Sequence, residues 1–167
     1  GKINMNIDNK IKVELDKYVE PERAEKSKRF FQSHPGGYGE GDEFIGVRVP
    51  HQRKVAKKYY KDINFKEIER LLQDNIHEYR LTALFLMINK YNKLYADNMD
   101  KRKEIVNLYL DNIAAVNNWD LVDSSAEKIL GPYLLNKDKD ILYKFLDSGD
   151  LWKQRIAIMT TFHFIKN

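Results

Sequence analysis

The chain has 167 residues, with 29 Lys and Arg against 25 Asp and Glu for a formal charge of +4; its 43% hydrophobic and 12% aromatic content fits one ordinary domain with a sizeable core, not a disordered chain. The absence of cysteine excludes a disulfide scaffold, a thiolate zinc site and a cysteine nucleophile. No apolar run approaches the roughly 18 residues of a membrane span and the first residues lack the apolar stretch of a secretory signal, so the cytoplasm is the expected compartment.

In chain order, Phe30 and Phe31 follow Lys28 and Arg29 and read by composition as core residues. Four of the eight glycines, Gly36, Gly37, Gly39 and Gly41, fall in one loop, His34–Glu43. That loop lacks the Gly-Lys-Ser/Thr ending of a P-loop. The following segment, Gly46–Lys61, carries Arg48, Arg53, Lys54, Lys57, Lys58 and Lys61 with no acid. Pro50 suits a first helical turn. Lys54, Lys57, Lys58 and Lys61 follow helical spacing and share a face, while Val55, Ala56 and Tyr59 or Tyr60 turn inward. A basic helix face behind a glycine-rich loop can cradle phosphodiester oxygens, although a charge run alone is usually a solvated face.

Beyond that point the apolar residues recur at steps of three and four, and no stretch alternates with period two, so the fold class is all-α. A short helix followed by a longer, more apolar one is predicted three times: Phe65–Gln73 then Glu78–Tyr91, Lys101–Ala115 then Trp119–Leu130, and Asp138–Leu146 then Leu151–Ile165. Arg80 and Arg155 occupy matching places near the starts of second helices, about 75 residues apart, or about twice a period of 37 to 38, which is the spacing of HEAT-like repeats. Stacked pairs of this kind form a curved superhelix whose second helices line one concave surface. The whole of 1–167 is then one helical-repeat domain. Its last helix is apolar on most sides with no polar capping unit after it, as expected for the front portion of a longer domain or for a helix covered by a partner.

Candidate chemistry centres on Asn117-Asn118-Trp119-Asp120-Leu121-Val122-Asp123-Ser124. Asn117 or Asn118 can cap the helix, and the helix dipole accounts for Asp120. Asp123 lies one turn after Trp119, so an indole and a carboxylate stand side by side. Two readings are open: a carboxylate beside an aromatic platform awaiting a cationic ligand, or a core tryptophan with Asp123 bonded to nearby backbone. Arg80 reads as a structural bridge between helices. Arg155, beside Lys153, reads as a contact to a DNA backbone. The four histidines show no ligand spacing, and no metal is expected.

At Tyr38-Gly39-Glu40-Gly41-Asp42-Glu43-Phe44-Ile45-Gly46-Val47-Arg48-Val49-Pro50, at Asn118–Ser124 and at Leu151-Trp152-Lys153-Gln154-Arg155-Ile156-Ala157-Ile158, the chain closely resembles the AlkD-like family of DNA alkylation repair proteins, over a stretch from about Glu25 to the last residue. The resemblance implies a right-handed HEAT-like superhelix with a concave basic surface. It also implies a DNA glycosylase that excises 3-alkyladenine and 7-alkylguanine from duplex DNA in base excision repair, without metal or organic cofactor; a monomer, nucleoid-associated in the cytoplasm, is the accompanying expectation. On the resemblance, Asp123 matches the catalytic carboxylate, Trp119 the aromatic that contacts the lesion nucleotide, and Arg155 the arginine that binds backbone beside it. Phe30 matches an aromatic, often Tyr, that approaches the same site. Family members usually continue with further repeats that supply another Trp, and that part is absent here.

The chemistry agrees with the residues. A ring-alkylated purine carries a formal positive charge and leaves readily, so what remains is to stabilise the sugar cation and position water, both within reach of a carboxylate at Asp123, while Trp119 attracts the cation by its ring face. The alternative is a non-catalytic helical-repeat module that binds DNA or protein through the same surface.

Overall fold

The structure, a computed structural model, describes residues 5–167. Among them the fold is all-helical. An isolated parallel bridge between Glu43 and Ile76 is the one β pairing, and no helix is long and apolar enough to cross a membrane. The chain groups into two compact units, Gly1–Lys90 and Tyr91–Asn167.

The first unit holds α1 (Ile7–Asp16), α2 (Pro21–Phe30), α3 (Val49–Tyr59), α4 (Phe65–Leu72) and α5 (His77–Asn89). The helix α5 is its centre. Every residue from His77 to Ile88 is buried, the polar His77, Glu78, Arg80 and Thr82 included, and α3 and α4 both pack on it. The opening of α4 is fixed by a reciprocal cap. The Asn64 side chain accepts from the Glu67 N–H at 2.8 Å while the Glu67 carboxylate accepts from the Asn64 N–H at 3.0 Å, an arrangement worth about 1 kcal/mol. The other Glu67 oxygen accepts from the Ile7 N–H at 2.6 Å and so ties α1 to α4. The sequence pattern points to α3, α4 and α5 and leaves α1 and α2 unmarked.

The second unit holds α6 (Met99–Asp111), a 3-10 turn (Ile113–Ala115), α7 (Trp119–Leu134), α8 (Asp140–Leu146) and α9 (Leu151–Lys166). A π-helical turn, Lys90–Leu94, spans the boundary after α5. Each of the three predicted helix pairs is found, with α7 running on through Pro132 to Leu134. The packing of α7 on α9 depends on small residues. Ala126, Ser125, Ala157 and Thr160 are buried, and Gly131 lies so close to His163 that a Cβ there would sit 2.7 Å from the imidazole Cγ. This intimacy brings the first turns of α7 and α9 together, and with them the candidate site. Behind α7 the buried Tyr109 hydroxyl shares a 2.9 Å hydrogen bond with Ser125, fixing α6 against it. On its other face α9 leaves Leu151, Ile158, Phe162 and Ile165 exposed, so the apolar character of this helix is divided between a packed and an open side.

Candidate active site and basic helix

In the second unit two caps aim two indoles. Asn118, which is buried, accepts from the Trp119 N–H at 2.8 Å at the start of α7, and Asp150 accepts from the Trp152 and Lys153 N–H groups at 2.9 and 3.0 Å at the start of α9. The Trp119 and Trp152 rings meet edge to face, 4.9 Å between centroids at 87°. One turn into each helix stand Asp123 and Arg155. The Arg155 Nε and Nη2 donate to the two Asp123 oxygens, each at 2.7 Å, and the guanidinium carbon lies 4.4 Å from the Trp119 ring centroid. The carboxylate is 36% and the guanidinium 32% exposed, so the pair is open to solvent on one side. Hydrogen bonding to Asp123 raises the Arg155 pKa further above its ordinary value, with partial burial opposing. Beside Trp152 a concavity of about 130 Å³ is lined by Asn117, Asp150 and Lys153 among others.

From the sequence Asp123 and Arg155 have separate tasks, whereas in the fold they are joined. Asp123 does not follow the reading with a core tryptophan and a backbone bond, since it is bonded to the Arg155 side chain and Trp119 is half-buried. Trp152 was overlooked as a site residue. The signal was present: the chain has two tryptophans, each in the first turn of a second helix.

In the first unit the structure tempers the basic segment. It was read as free of acids, but acids arrive from other elements: Arg48 makes two hydrogen bonds to Glu20 at 2.8 and 3.2 Å, and Lys58 donates to Glu14 at 2.5 Å. Arg53 lies 4.2 Å from the Phe85 ring centroid. The helix stops at Tyr59, so Lys61 falls in the turn beyond the shared face, 5.8 Å from the Tyr60 ring. Lys54 and Lys57 stay exposed and pair with no acid among the described residues. Val55, Ala56 and Tyr60 turn inward as expected.

One further expectation is corrected, the placing of Phe30 in the core. Phe30 is 72% exposed and touches Phe31 edge to face at 4.9 Å, while Phe31 stacks on Phe44 at 5.5 Å and on His77 at 5.0 Å. Neighbouring helical residues point about 100° apart, so only one of the two can face the aromatic core. The backbone between the glycine-rich loop and α3 is braced from within. The buried Glu78 carboxylate accepts from the consecutive N–H groups of Ile45, Gly46 and Val47, the shortest bond being 2.7 Å from Gly46. Gly46 has φ +79, and a Cβ there would lie 2.1 Å from the Glu20 carbonyl oxygen, so this backbone admits glycine alone. Arg80 takes the structural course: it pairs with the buried Asp42, which is also 2.9 Å from His77 Nδ1.

A model of the DNA alkylation repair enzyme family matches residues 11–167. The chain belongs to that family. Comparison with curated proteins and with solved structures returned no match. For a DNA alkylation repair enzyme the substrate is DNA and the task is repair of alkylated bases. Among the described residues no three or more acidic or histidine side chains converge to hold a metal ion.

Proposed function

We propose that this chain is a DNA glycosylase that excises positively charged alkylated purines, 3-alkyladenine and 7-alkylguanine, from duplex DNA. The observation that carries the reading is the meeting of Trp119, Asp123, Arg155 and Trp152 in one half-exposed cluster. A guanidinium bound bidentately to a carboxylate has the geometry to bind a phosphate the same way. An arriving backbone phosphate exchanges for Asp123 on Arg155, which frees the carboxylate and uncovers the Trp119 face for the cationic base. As the glycosidic bond breaks, its electron pair moves to the base nitrogen and cancels the ring's positive charge. The cation left on the deoxyribose is stabilised by Asp123, and water adds at C1′ with its proton passing to that carboxylate and then to solvent. The products are a neutral free base and an abasic site.

The test is a duplex carrying 7-methylguanine, with the free base measured by chromatography. The wild-type chain releases base and Asp123→Asn does not, although the variant still binds duplex; release by Asp123→Asn at the wild-type rate overturns the role of Asp123. The closed Arg155–Asp123 pair favours a second reading, a non-catalytic module that binds DNA or protein, because a carboxylate held by arginine is not free to act. That reading predicts no base release by the wild-type chain.

A further inference from the structure

The first unit carries a concavity of about 330 Å³ between α1 and α3, and its lining is strongly cationic. Lys17, Lys54 and Lys58 converge on it, together with His51. The acid on its wall, Glu14, is already engaged by Lys58 at 2.5 Å and by the Tyr59 hydroxyl at 2.6 Å. Lys17 and Lys54 make no ion pair among the described residues; Lys17 feels Glu14 only at longer range, so the one acid of the lining is shared among three lysines. Like charges gathered around one hollow repel, and an anion relieves that repulsion. One flank is flat: the Tyr18 and His51 rings stack at 4.0 Å and 13°. The volume exceeds what a single phosphate needs, leaving space along that flank for the sugar or base attached to it.

We propose that this concavity is a phosphoryl-binding site, with Lys17 and Lys54 as the cations that hold the phosphate oxygens, Lys58 as a shared third, and the Tyr18–His51 pair as the wall for the attached group. The phosphoryl group comes either from a DNA backbone or from a free phosphate or nucleotide, and the chemistry of the site is the same for both. The inference goes beyond the glycosylase reading, since it uses none of Trp119, Asp123 and Arg155.

The experiment titrates the full chain with inorganic phosphate, and separately with a short undamaged duplex, following the His51 ring resonances by NMR and duplex affinity by fluorescence anisotropy against salt. The double variant Lys17→Ala/Lys54→Ala is compared with Lys26→Ala/Lys66→Ala, which removes the same charge from exposed positions outside the hollow. A backbone phosphate in the site predicts that the first double variant weakens duplex binding by about tenfold more than the control and lowers the slope of log K against log salt by about 2. A free phosphate predicts the corresponding loss for inorganic phosphate while duplex affinity follows the control. Equal behaviour of the two double variants in both titrations, or an unmoved His51 ring with both ligands, overturns the proposal. Release of 7-methylguanine enters neither measurement, so failure here and failure of the glycosylase reading are told apart.

Discussion

Arg155 and Asp123 lie 32 residues apart in the chain and meet through two parallel hydrogen bonds of 2.7 Å, with the guanidinium laid against Trp119. Because both partners are about one-third exposed, the pair contributes at most about 1 kcal/mol to stability. Under the proposed function its interest lies in exchange, a backbone phosphate taking the place of Asp123 on Arg155.

Arg155→Ala therefore separates folding from function. Thermal melts of the variant stay close to wild type, while duplex affinity falls by about tenfold to a hundredfold, the value of a charge-assisted bond to phosphate. Arg155→Lys keeps the charge but loses the fork, and recovers only part of that affinity. An Arg155→Ala chain that binds duplex as well as wild type would remove this residue from the DNA contact.

Both tryptophans of the chain sit in the cluster, so intrinsic tryptophan emission reports on the site alone. Adding undamaged duplex changes the emission as Arg155 leaves the Trp119 face, and the change disappears in Arg155→Met. A duplex-induced change of equal size in that variant contradicts the exchange.

Gly131→Ala tests the approach of α7 to α9. The new methyl meets the His163 Cβ and Cγ at 2.7 Å, and strain of this kind costs about 1–3 kcal/mol by urea unfolding. Adding His163→Gly removes both of these atoms and restores part of the loss, so the two substitutions are strongly non-additive. Simple additivity would mean that the helices are not in register at this point.

The acid limb of stability belongs to the first unit. The Arg70 hydrogen bond holds the Asp8 carboxyl below its ordinary range, and Arg48 does the same for Glu20. Burial pushes Glu14 up, but hydrogen bonds from Lys58 and Tyr59 outweigh it and leave the carboxyl low. Carboxyls with folded values below the unfolded ones stabilise the fold above the unfolded range, near about pH 4, and that contribution is lost as pH falls through the folded values. Melting temperature should hold from neutral pH down to that range and then drop. Asp8→Asn lowers stability at neutral pH and flattens the drop; an unchanged acid limb in this variant contradicts the assignment to Asp8.

Much of the fold was legible in the sequence because three- and four-residue apolar spacing survives wherever a helix has one buried face, as in α4, or is buried all round, as in α5. The helices α1 and α2 escaped notice because α1 buries only Asp8, Ile11 and Leu15, and α2 only Ala24, too little to leave a pattern. Trp119 and Asp123 were legible as neighbours because they share one helix. The Arg155–Asp123 bond was not, since it is set by how closely α7 and α9 pack, and that depends on Gly131, Ala126 and Ala157, whose spacing carries no chemistry of its own. The neutralisation of Arg48 and Lys58 was hidden for the same reason: Glu20 and Glu14 come from distant turns of chain.

Glu78 has one more consequence. By plugging the backbone donors of Ile45, Gly46 and Val47 with its own carboxylate, the protein turns what would otherwise be an anion trap into a brace. Any redesign that seeks to recruit a ligand at that bend must first evict Glu78, and in doing so would unfasten the entry to α3 and the lysines it presents.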